Sequence, residues 1–260
     1  MSHLQIQPLC REGAAWQAFA EQENLHYEVL ELSAPPALND ETAYRFAMDW
    51  YRSSGRTTAL HGAFMDVNVG SGDEKIRRIS EERCRESCRQ AMALGAEYVV
   101  FHTSAEPFLR GGYLDRWSGQ CADFFLSLVE EFPLTLCIEN SADLDSDAIG
   151  MLLQRTRSPR IGACLDIGHA HYSPAGVARW FDALGDDIRY LHLSDNGGRF
   201  DDHLPLGEGM VDWAQAHTLW QQLRRDTPIT LETGGLEQVR RSLDYLRRFG
   251  LFGEAVAHDQ

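Results

Sequence analysis

The stretch LTLCIEN, residues 134–140, indicates how the whole chain folds. Side chains alternate between the two faces of a β-strand, so this stretch has one aliphatic face and one face that ends in a carboxylate. The aliphatic set is Leu134, Leu136 and Ile138, and the opposite set is Thr135, Cys137 and Glu139. A barrel strand needs aliphatic side chains under its helices and compact ones in its interior. The stretch therefore predicts a barrel strand that carries Glu139 to one end of the barrel.

Seven further apolar runs alternate with longer amphipathic segments along the 260 residues. The predicted strands are 4–9, 26–32, 57–63, 97–103, 134–140, 161–167, 188–194 and 228–234. The predicted helices lie near 13–24, 40–54, 73–94, 114–132, 143–157, 174–184, 212–225 and 236–249. Strict alternation predicts a parallel sheet with right-handed crossovers, and eight units predict a (β/α)₈ TIM barrel. No linker interrupts the pattern, so residues 1–260 are predicted to form a single domain.

Five other predicted strands end as 134–140 does, with an ionisable residue on the face that would point into the barrel. The six residues are His61, His102, Glu139, Asp166, His192 and Glu232. They would lie at the carboxyl ends of the strands, where barrel enzymes place their active sites. One such residue alone is more often a helix cap or a hydrogen-bonded rim residue. As a group, buried carboxylates interleaved with imidazoles predict a site for a divalent cation.

Two loop motifs add candidate ligands. In DIGHAH, which begins at Asp166, His169 is expected just beyond the strand, in a loop. In RFDDHLPLGEG, the spacing of Asp201 and His203 lets both side chains face one way in an extended segment. By itself this segment is typical of a surface loop; beside the other ligands it predicts a lid that adds a metal or substrate contact. Glu31 is expected either at the mouth or in a rim hydrogen bond.

The composition of the chain argues against several classes of function. The formal net charge is −15, which argues against a duplex nucleic acid partner because such proteins need a basic face. The one lysine, Lys75, argues against Schiff-base and P-loop chemistry. We expect no signal peptide and no membrane span. The six scattered cysteines predict thiols in a reducing cytoplasm, with Cys137 and Cys164 in the core.

From about residue 26 to residue 250 the chain resembles the xylose isomerase-like barrel superfamily. The resemblance is carried by ALHGAF, VVFHTS, LCIEN, CLDIGHAH, LHLSDNGGRFDDHLPLGEG and TLETGG. That superfamily includes sugar and sugar-phosphate isomerases and epimerases, and nucleases of the endonuclease IV type. The epimerases hold one metal, often manganese, and the positions that match its ligands here are Glu139, Asp166, His192 and Glu232. The nucleases hold three zinc ions, and their additional ligands match His61, His102, His169, Asp201 and His203.

The resemblance implies a metal-dependent isomerase or epimerase of a sugar or sugar phosphate. Glu139 and Glu232 would exchange a proton with the two faces of an enediolate, with one or more Mn²⁺ or Zn²⁺ ions as cofactor. The partner would be a small carbohydrate. The alternative is an endonuclease IV-like zinc phosphodiesterase or apurinic-site endonuclease. Against it, the loops CREGAAW and SAPPALNDET hold one arginine, Arg11, and three carboxylates, Glu12, Asp40 and Glu41.

The sequence leaves the roles of two sets of residues in or near the mouth loops undecided. The glycines at 197–198, 207, 209 and 234–235 follow the last two predicted strands, where phosphate-binding barrels place backbone amides. They are equally typical of flexible loops, so the sequence does not decide whether the substrate is phosphorylated. The aromatic residues Trp16, Phe64, Phe108 and Trp117 could stack on a sugar or pack in the core.

Overall fold

The computed structural model describes residues 4–255 and contains a closed barrel of eight parallel strands in chain order. The strands are β1 Leu4–Ile6, β2 His26–Val29, β3 Thr57–His61, β4 Tyr98–His102, β5 Thr135–Glu139, β6 Ile161–Asp166, β7 Ile188–Leu193 and β8 Ile229–Leu231. Each strand pairs with the next, and β8 pairs with β1 to close the ring. The predicted TIM barrel is confirmed. Residues 1–3 and 256–260 of the predicted single domain lie outside the described residues.

Helices cover the outside of the barrel. They are α1 Gly13–Glu23, α2 Glu41–Ser54, α3 Glu74–Leu94, α4 Gly112–Glu131, α5 Asp147–Thr156, α6 Ile167–Tyr172, α7 Val177–Leu184, α8 Trp213–Trp220 and α9 Leu236–Phe249. The short helix α6 was not predicted, and it places His169 on a helix rather than in a loop. The predicted helix 212–225 ends at Trp220, and the predicted helix 143–157 begins only at Asp147. The predicted strand 26–32 ends at Val29, because a 3₁₀ turn begins at Glu31.

Local sequence explains where several helices begin and end. The carboxylate of Asp40 accepts hydrogen bonds from the backbone N–H groups of Thr42 and Ala43, which satisfies free donors of the first turn of α2. Asp73 caps α3 in the same way. Helix α3 stops at Gly95, whose φ of 75° is in the left-handed region that glycine adopts without steric cost. These signals fix the lengths of the outer helices and so the spacing of the strands.

The two faces of the strands form two separate apolar clusters. The outer faces join the helices in one large core, which includes Leu60, Val99, Leu136, Ile138 and Leu165, all fully buried. The inner faces form a small cluster of their own, made of Ala59, Val100, Cys137, Cys164 and Tyr190. This inner cluster fills the barrel below the mouth, so the polar residues that follow it on each strand lie on a packed floor.

The positions of the cysteines and the character of the helices bear on two further predictions. All six cysteines are free thiols in buried positions, as expected for Cys137 and Cys164. Among residues 4–255, no helix combines the length and the apolar character that a membrane crossing requires. The cytoplasmic location stays a prediction.

Candidate metal centre

The six ionisable residues at the strand ends meet at the carboxyl end of the barrel. Four of them, Glu139, Asp166, His192 and Glu232, each offer one potential ligand atom, and these four atoms lie within 4.8 Å of one another. His192 Nδ1 is 2.8 Å from Glu232 Oε2 and 3.3 Å from Glu139 Oε1. All four side chains are buried. Three carboxylates and one imidazole at this distance form a donor set that suits a divalent cation.

The hydrogen bonds of these four residues test whether they fit a metal ion. Buried polar atoms in proteins are nearly always hydrogen-bonded, because leaving one unpaired costs about 1–3 kcal/mol. Each of the four residues nevertheless has one buried atom without a hydrogen-bond partner: Glu139 Oε2, Asp166 Oδ2, His192 Nδ1 and Glu232 Oε2. Four such atoms on four adjoining buried residues would be severely unfavourable unless a cation binds among them. The residues therefore fit the divalent ion that the sequence predicted.

Glu28 on β2 is a residue of this centre that the sequence did not single out. Its side chain is fully buried, and its Oε2 lies 3.0 Å from His192 Nε2. Thr230 donates to the same oxygen at 2.9 Å, and Gln7 donates to Oε1 at 2.8 Å. Because the Glu28 carboxylate accepts the Nε2–H of His192, the neutral imidazole ring carries its lone pair on Nδ1. Nδ1 is the atom without a hydrogen-bond partner, and it faces the other candidate ligands.

A pattern in the sequence could have identified Glu28. It is an acidic residue in the middle of a short apolar strand, on the face that alternation assigns to the barrel interior together with His26. The sequence instead suggested Glu31, three residues later, as a residue of the mouth or the rim. The structure places Glu31 at the rim of the cavity, where its Oε2 accepts hydrogen bonds from the Cys10 N–H and the Tyr51 hydroxyl. The rim hydrogen bond, one of the two expectations for Glu31, is what the structure shows.

Three further histidines point their Nε2 atoms at carboxylates. His61, His169 and His203 each bring Nδ1 within 3.1 Å of a backbone carbonyl, which can only accept, so Nδ1 carries the proton. Their Nε2 atoms lie 3.4 Å from Glu139, 3.2 Å from Asp201 and 2.9 Å from Asp201, respectively. His102 Nε2 is 3.5 Å from Glu139. The additional ligand candidates therefore surround the four-residue centre, mostly in orientations that suit metal or substrate contacts.

These additional candidates form two groups. His61 and His102 share Glu139 as a close neighbour, and His169, Asp201 and His203 form a separate group at the edge of the mouth. Within each group, one potential ligand atom from every member lies within 4.8 Å of the others. The structure thus brings together all nine residues that the sequence predicted.

Asn140, the last residue of the opening motif, connects β5 to β6. Its side-chain amide donates to the carbonyl of Asp166 at 3.0 Å and its Oδ1 accepts from the Asp166 N–H at 2.8 Å. Its own carbonyl accepts from His169 Nδ1 at 2.7 Å. The Asp166 carboxylate also caps helix α6 by accepting the N–H of His169. The local hydrogen bonds of Asn140 therefore orient two candidate ligands.

The loop between β7 and α8 is held by Asp195, which is fully buried. Its two carboxylate oxygens accept four hydrogen bonds, from the N–H groups of Asn196, Gly207 and Val211 and from Trp213 Nε1, at 2.8–3.1 Å. This arrangement closes residues 195–213 around one buried charge. His203 has a φ of 47°, rare for a residue with a side chain, and its Nδ1 bond to the Glu232 carbonyl holds it there. The loop therefore brings Asp201 and His203 over the mouth.

Burial and charge shift several pKa values at the centre. Burial raises the pKa of Asp166 to about 6 and lowers the pKa of His102 to about 4. Burial also disfavours the charged form of His203, but the hydrogen bond to Asp201 and the nearby Glu232 outweigh it and raise its pKa to about 10. For His169 the carboxylates of Asp166 and Asp201 likewise overcome burial and raise the pKa. The metal-free centre thus holds protons that a bound cation would displace.

A cavity of about 840 Å³ opens above the centre. Glu139 and Glu232 lie in its wall together with His61, His102, His169, Asp201 and His203. Of the four aromatic residues considered for sugar stacking, only Phe64 lines it, with its ring 5.0 Å from that of His61. Trp16 and Trp117 are buried in the core, and Phe108 is exposed away from the cavity wall.

The sequence of this chain is similar to those of several known proteins. Residues 23–249 match the protein family described as xylose isomerase-like TIM barrel. An uncharacterised protein of Methanocaldococcus jannaschii is 24% identical over 214 residues, which are 77% of this chain and 73% of that protein. Fructoselysine 3-epimerase of Escherichia coli O157:H7 is 28% identical over 55% of each chain. A probable endonuclease 4 of Mycobacterium leprae is 27% identical over 63% of this chain and 68% of its own length.

Solved structures show the same fold. A D-tagatose 3-epimerase-like protein superposes with a TM-score of 0.77 at 21% identity, covering 96% of this chain and 97% of that one. A protein of Thermus thermophilus, in a structure obtained by soaking with ZnCl₂, superposes with a TM-score of 0.74 at 22% identity, covering 94% of this chain and 96% of that one. At these identities the likeness establishes the barrel, and the chemistry has to be argued from the site.

Proposed function

Because this chain belongs to the xylose isomerase-like TIM barrel family, we propose that it is a metal-dependent sugar isomerase or epimerase. One observation carries the proposal: Glu139, Asp166, His192 and Glu232 bring four potential ligand atoms within 4.8 Å of one another beside a large cavity, and each of these residues has a buried atom without a hydrogen-bond partner. The epimerase among the sequence relatives supports the same chemistry. The four residues would hold one divalent ion, Mn²⁺ or Zn²⁺.

In the proposed mechanism, a bound ion supplies Lewis-acid polarisation of the substrate carbonyl. Glu139 and Glu232 act as acid and base, since they lie on β5 and directly after β8, and both line the cavity. One carboxylate removes the proton next to the carbonyl, which gives an enediolate, and the other returns a proton to the opposite face. Two carboxylates that approach from two sides can invert a carbon centre in this way.

The surrounding residues orient the sugar and the carboxylates. His102 and His169 line the cavity beside Glu139 and would bind substrate hydroxyl groups. Gln7 donates to Glu28 at 2.8 Å and to Glu232 at 3.1 Å, and so connects the acid–base pair to the residue that orients His192. Asp201 and His203 would close the mouth over the substrate and exclude water.

Solvent deuterium uptake tests the proposal. The protein is stripped with a chelator, reloaded with Mn²⁺ or Zn²⁺, and incubated with a panel of keto-sugars in D₂O. We expect deuterium at the carbon next to the carbonyl only with metal, and a loss of about 10³-fold in Glu232→Gln. Glu97→Gln is the matched control, because this exposed carboxylate lies at the amino end of β4. Metal-independent exchange, or full activity of Glu232→Gln, would refute the mechanism.

A zinc-dependent phosphodiesterase is the second candidate. It is favoured by the group His169, Asp201 and His203, which could hold a further ion, and by the endonuclease 4 relatives. In that case several ions would clamp a phosphate and activate water. About three zinc ions per chain after gentle purification, together with cleavage of a duplex that contains an abasic site, would favour it over the isomerase. The predicted absence of a nucleic acid partner is tested by the same assay.

A further inference from the structure

One part of the cavity wall is mainly apolar, and we name this part the annex. It lies between the loops after β1 and β2 and helix α2, and its walls are Leu9, Leu30, Ala34, Pro35, Pro36 and Phe46. Phe46 is 59% exposed, although it lines the cavity. An exposed phenylalanine on the wall of a cleft is typical of a surface that binds an apolar group.

The size of the cavity exceeds the needs of one monosaccharide. Pockets for drug-sized ligands span roughly 300–1,000 Å³, and this cavity of about 840 Å³ is near the upper end. The polar end, around Glu139 and Glu232, suits the hydroxyl and carbonyl groups of a sugar. The annex presents mainly apolar side chains, and Arg11, Glu12 and Glu31 are the charged residues that line the cavity from the same loops. A sugar alone would leave the apolar walls in contact with water.

Four of the six glycine amides that could have bound a phosphate are already in use. The N–H groups of four loop glycines donate to side chains of this chain at 2.8–3.0 Å: Gly197 to Asp202, Gly198 to Asn196, Gly207 to Asp195, and Gly235 to Gln238. At Gly209, an added Cβ would lie 2.2 Å from Asp195 Oδ1, so side chain fills the space beside its backbone. These four amides in the loops after β7 and β8 are therefore occupied by internal hydrogen bonds and are not available to an anion.

The charges of the cavity also disfavour an anion. Among the described residues that line it, Arg11 is the one arginine or lysine side chain, and it pairs with Glu12 at 3.7 Å. Glu31 adds a carboxylate at the same rim. A substrate phosphate would gain little from a paired arginine and would face two carboxylates.

We propose that the substrate is a keto-sugar that carries an apolar substituent and no phosphate, with the substituent bound in the annex. This inference rests on the metal-dependent sugar chemistry proposed above. Apolar walls of the annex would stabilise the complex through the area that the substituent buries, while the polar end of the cavity holds the reacting carbons.

The test compares four probes on the metal-loaded 260-residue chain: D-fructose, fructose 6-phosphate, 6-O-benzyl-fructose and 1-benzylamino-1-deoxy-fructose. Deuterium uptake gives kcat/KM for each. We expect at least one benzyl probe to exceed fructose about tenfold, and the phosphate to fall about tenfold below it. Phe46→Ala should remove most of the benzyl advantage, so that kcat/KM for the benzyl probes falls about tenfold relative to kcat/KM for fructose in the same variant. Phe108→Ala is the matched control, because Phe108 is exposed outside the cavity wall.

A phosphate probe that reacts at least as fast as fructose would overturn the inference, and so would a benzyl preference that Phe46→Ala leaves intact. Calorimetric binding separates this inference from the proposed chemistry. If no ketose exchanges deuterium, the proposed function fails. Benzyl probes that bind the wild-type chain more tightly than fructose, and lose this advantage in Phe46→Ala, would still support the annex; equal binding of all probes would overturn it.

Discussion

The candidate site residues at the mouth of the barrel come from strands and from one loop, and the two groups are positioned differently. Glu139 and His192 are the last inward residues of β5 and β7, are fully buried, and lie on the packed inner cluster of the barrel. Asp201 and His203 lie on the loop between β7 and α8, where their side chains are 39% and 35% exposed. Strand geometry directs the first pair to the mouth, whereas the second depends on the loop conformation that Asp195 and the hydrogen bond of His203 to the Glu232 carbonyl hold. The difference shows that one site can combine buried candidate ligands on strands with partly exposed residues on a loop that covers them.

Removal of a strand-borne carboxylate should have the largest effect. We expect Glu139→Gln to lose at least about 10³-fold in metal-dependent deuterium uptake, because it removes a ligand charge and a proton-transfer group together. Metal content by elemental analysis should fall in parallel, while circular dichroism stays unchanged. The control is Glu97→Gln at the other end of the barrel. Normal metal content and activity in Glu139→Gln would show that the strand-borne set is not the metal centre.

Loss of the loop anchor should come next. Asp195→Ala leaves four hydrogen-bond donors without their acceptor, so we expect a loss of about 4 kcal/mol in the free energy of unfolding. Chemical denaturation measures it, and hydrogen exchange should show residues 196–212 opening first. Asp202→Ala is the matched control, because the exposed Asp202 accepts one bond, from Gly197. If both variants lose equally little, Asp195 does not organise the loop.

The third prediction concerns Glu28, which is hydrogen-bonded to the strand-borne candidate ligand His192. Glu28→Gln replaces an acceptor of the His192 Nε2–H by an amide that can donate, so the favoured tautomer of His192 would carry its proton on Nδ1. We expect metal affinity to fall about 10–100-fold, measured by competition with a chromophoric chelator. Glu28→Asp should recover part of this loss. Unchanged affinity in Glu28→Gln, with only a lower melting temperature, would reduce Glu28 to a structural role.

A loop-borne carboxylate should matter less than a strand-borne one. We expect Asp201→Asn to lower kcat/KM about tenfold and to leave the metal content of the four-residue centre unchanged. The neighbouring Asp202→Asn serves as control. Loss of metal as complete as in Glu139→Gln would mean that loop and strand residues form one ligand set, which would favour the phosphodiesterase.

The last predicted effect is on stability and depends on pH. Burial raises the pKa of Asp143, next to the mouth, to about 6, while Thr103 and Ser141 both donate to its Oδ2. An unfolded aspartate has a pKa of about 3.9, so the folded state binds more protons between these values. The stability contribution of Asp143 therefore decreases as pH rises from about 4 to about 6, and the penalty is complete above that.

Asp143→Asn can keep both hydrogen bonds on its carbonyl oxygen and removes the charge. We expect it to be more stable than wild type by up to about 3 kcal/mol at pH 7.5 and equal near pH 4, by denaturation at both values. Asp145→Asn, an exposed neighbour, is the control. A lower stability of Asp143→Asn at pH 7.5 would show that the ionised carboxylate is stabilised by its partners.

Prediction from sequence worked where the information was periodic. Alternation within LTLCIEN assigned Cys137 to the interior and Glu139 to the mouth, and the same rule placed His61, His102 and His192 correctly. It failed where backbone geometry departs from regular strands. Because β2 stops at Val29 and turns, the expectation fell on Glu31 and missed Glu28. The short helix α6 was missed since six residues give too little helical periodicity to detect.

The sequence by itself determined the barrel and which strand-borne residues are the candidate ligands, because side-chain alternation is a local property that every strand repeats. Only the tertiary structure decided the contacts between distant segments: the bond of Glu28 to His192, 164 residues apart, and the four donors that converge on Asp195. The annex also required the folded chain, because loops from β1 and β2 have to meet helix α2. Such contacts depend on the relative positions of whole elements, and no local pattern encodes them.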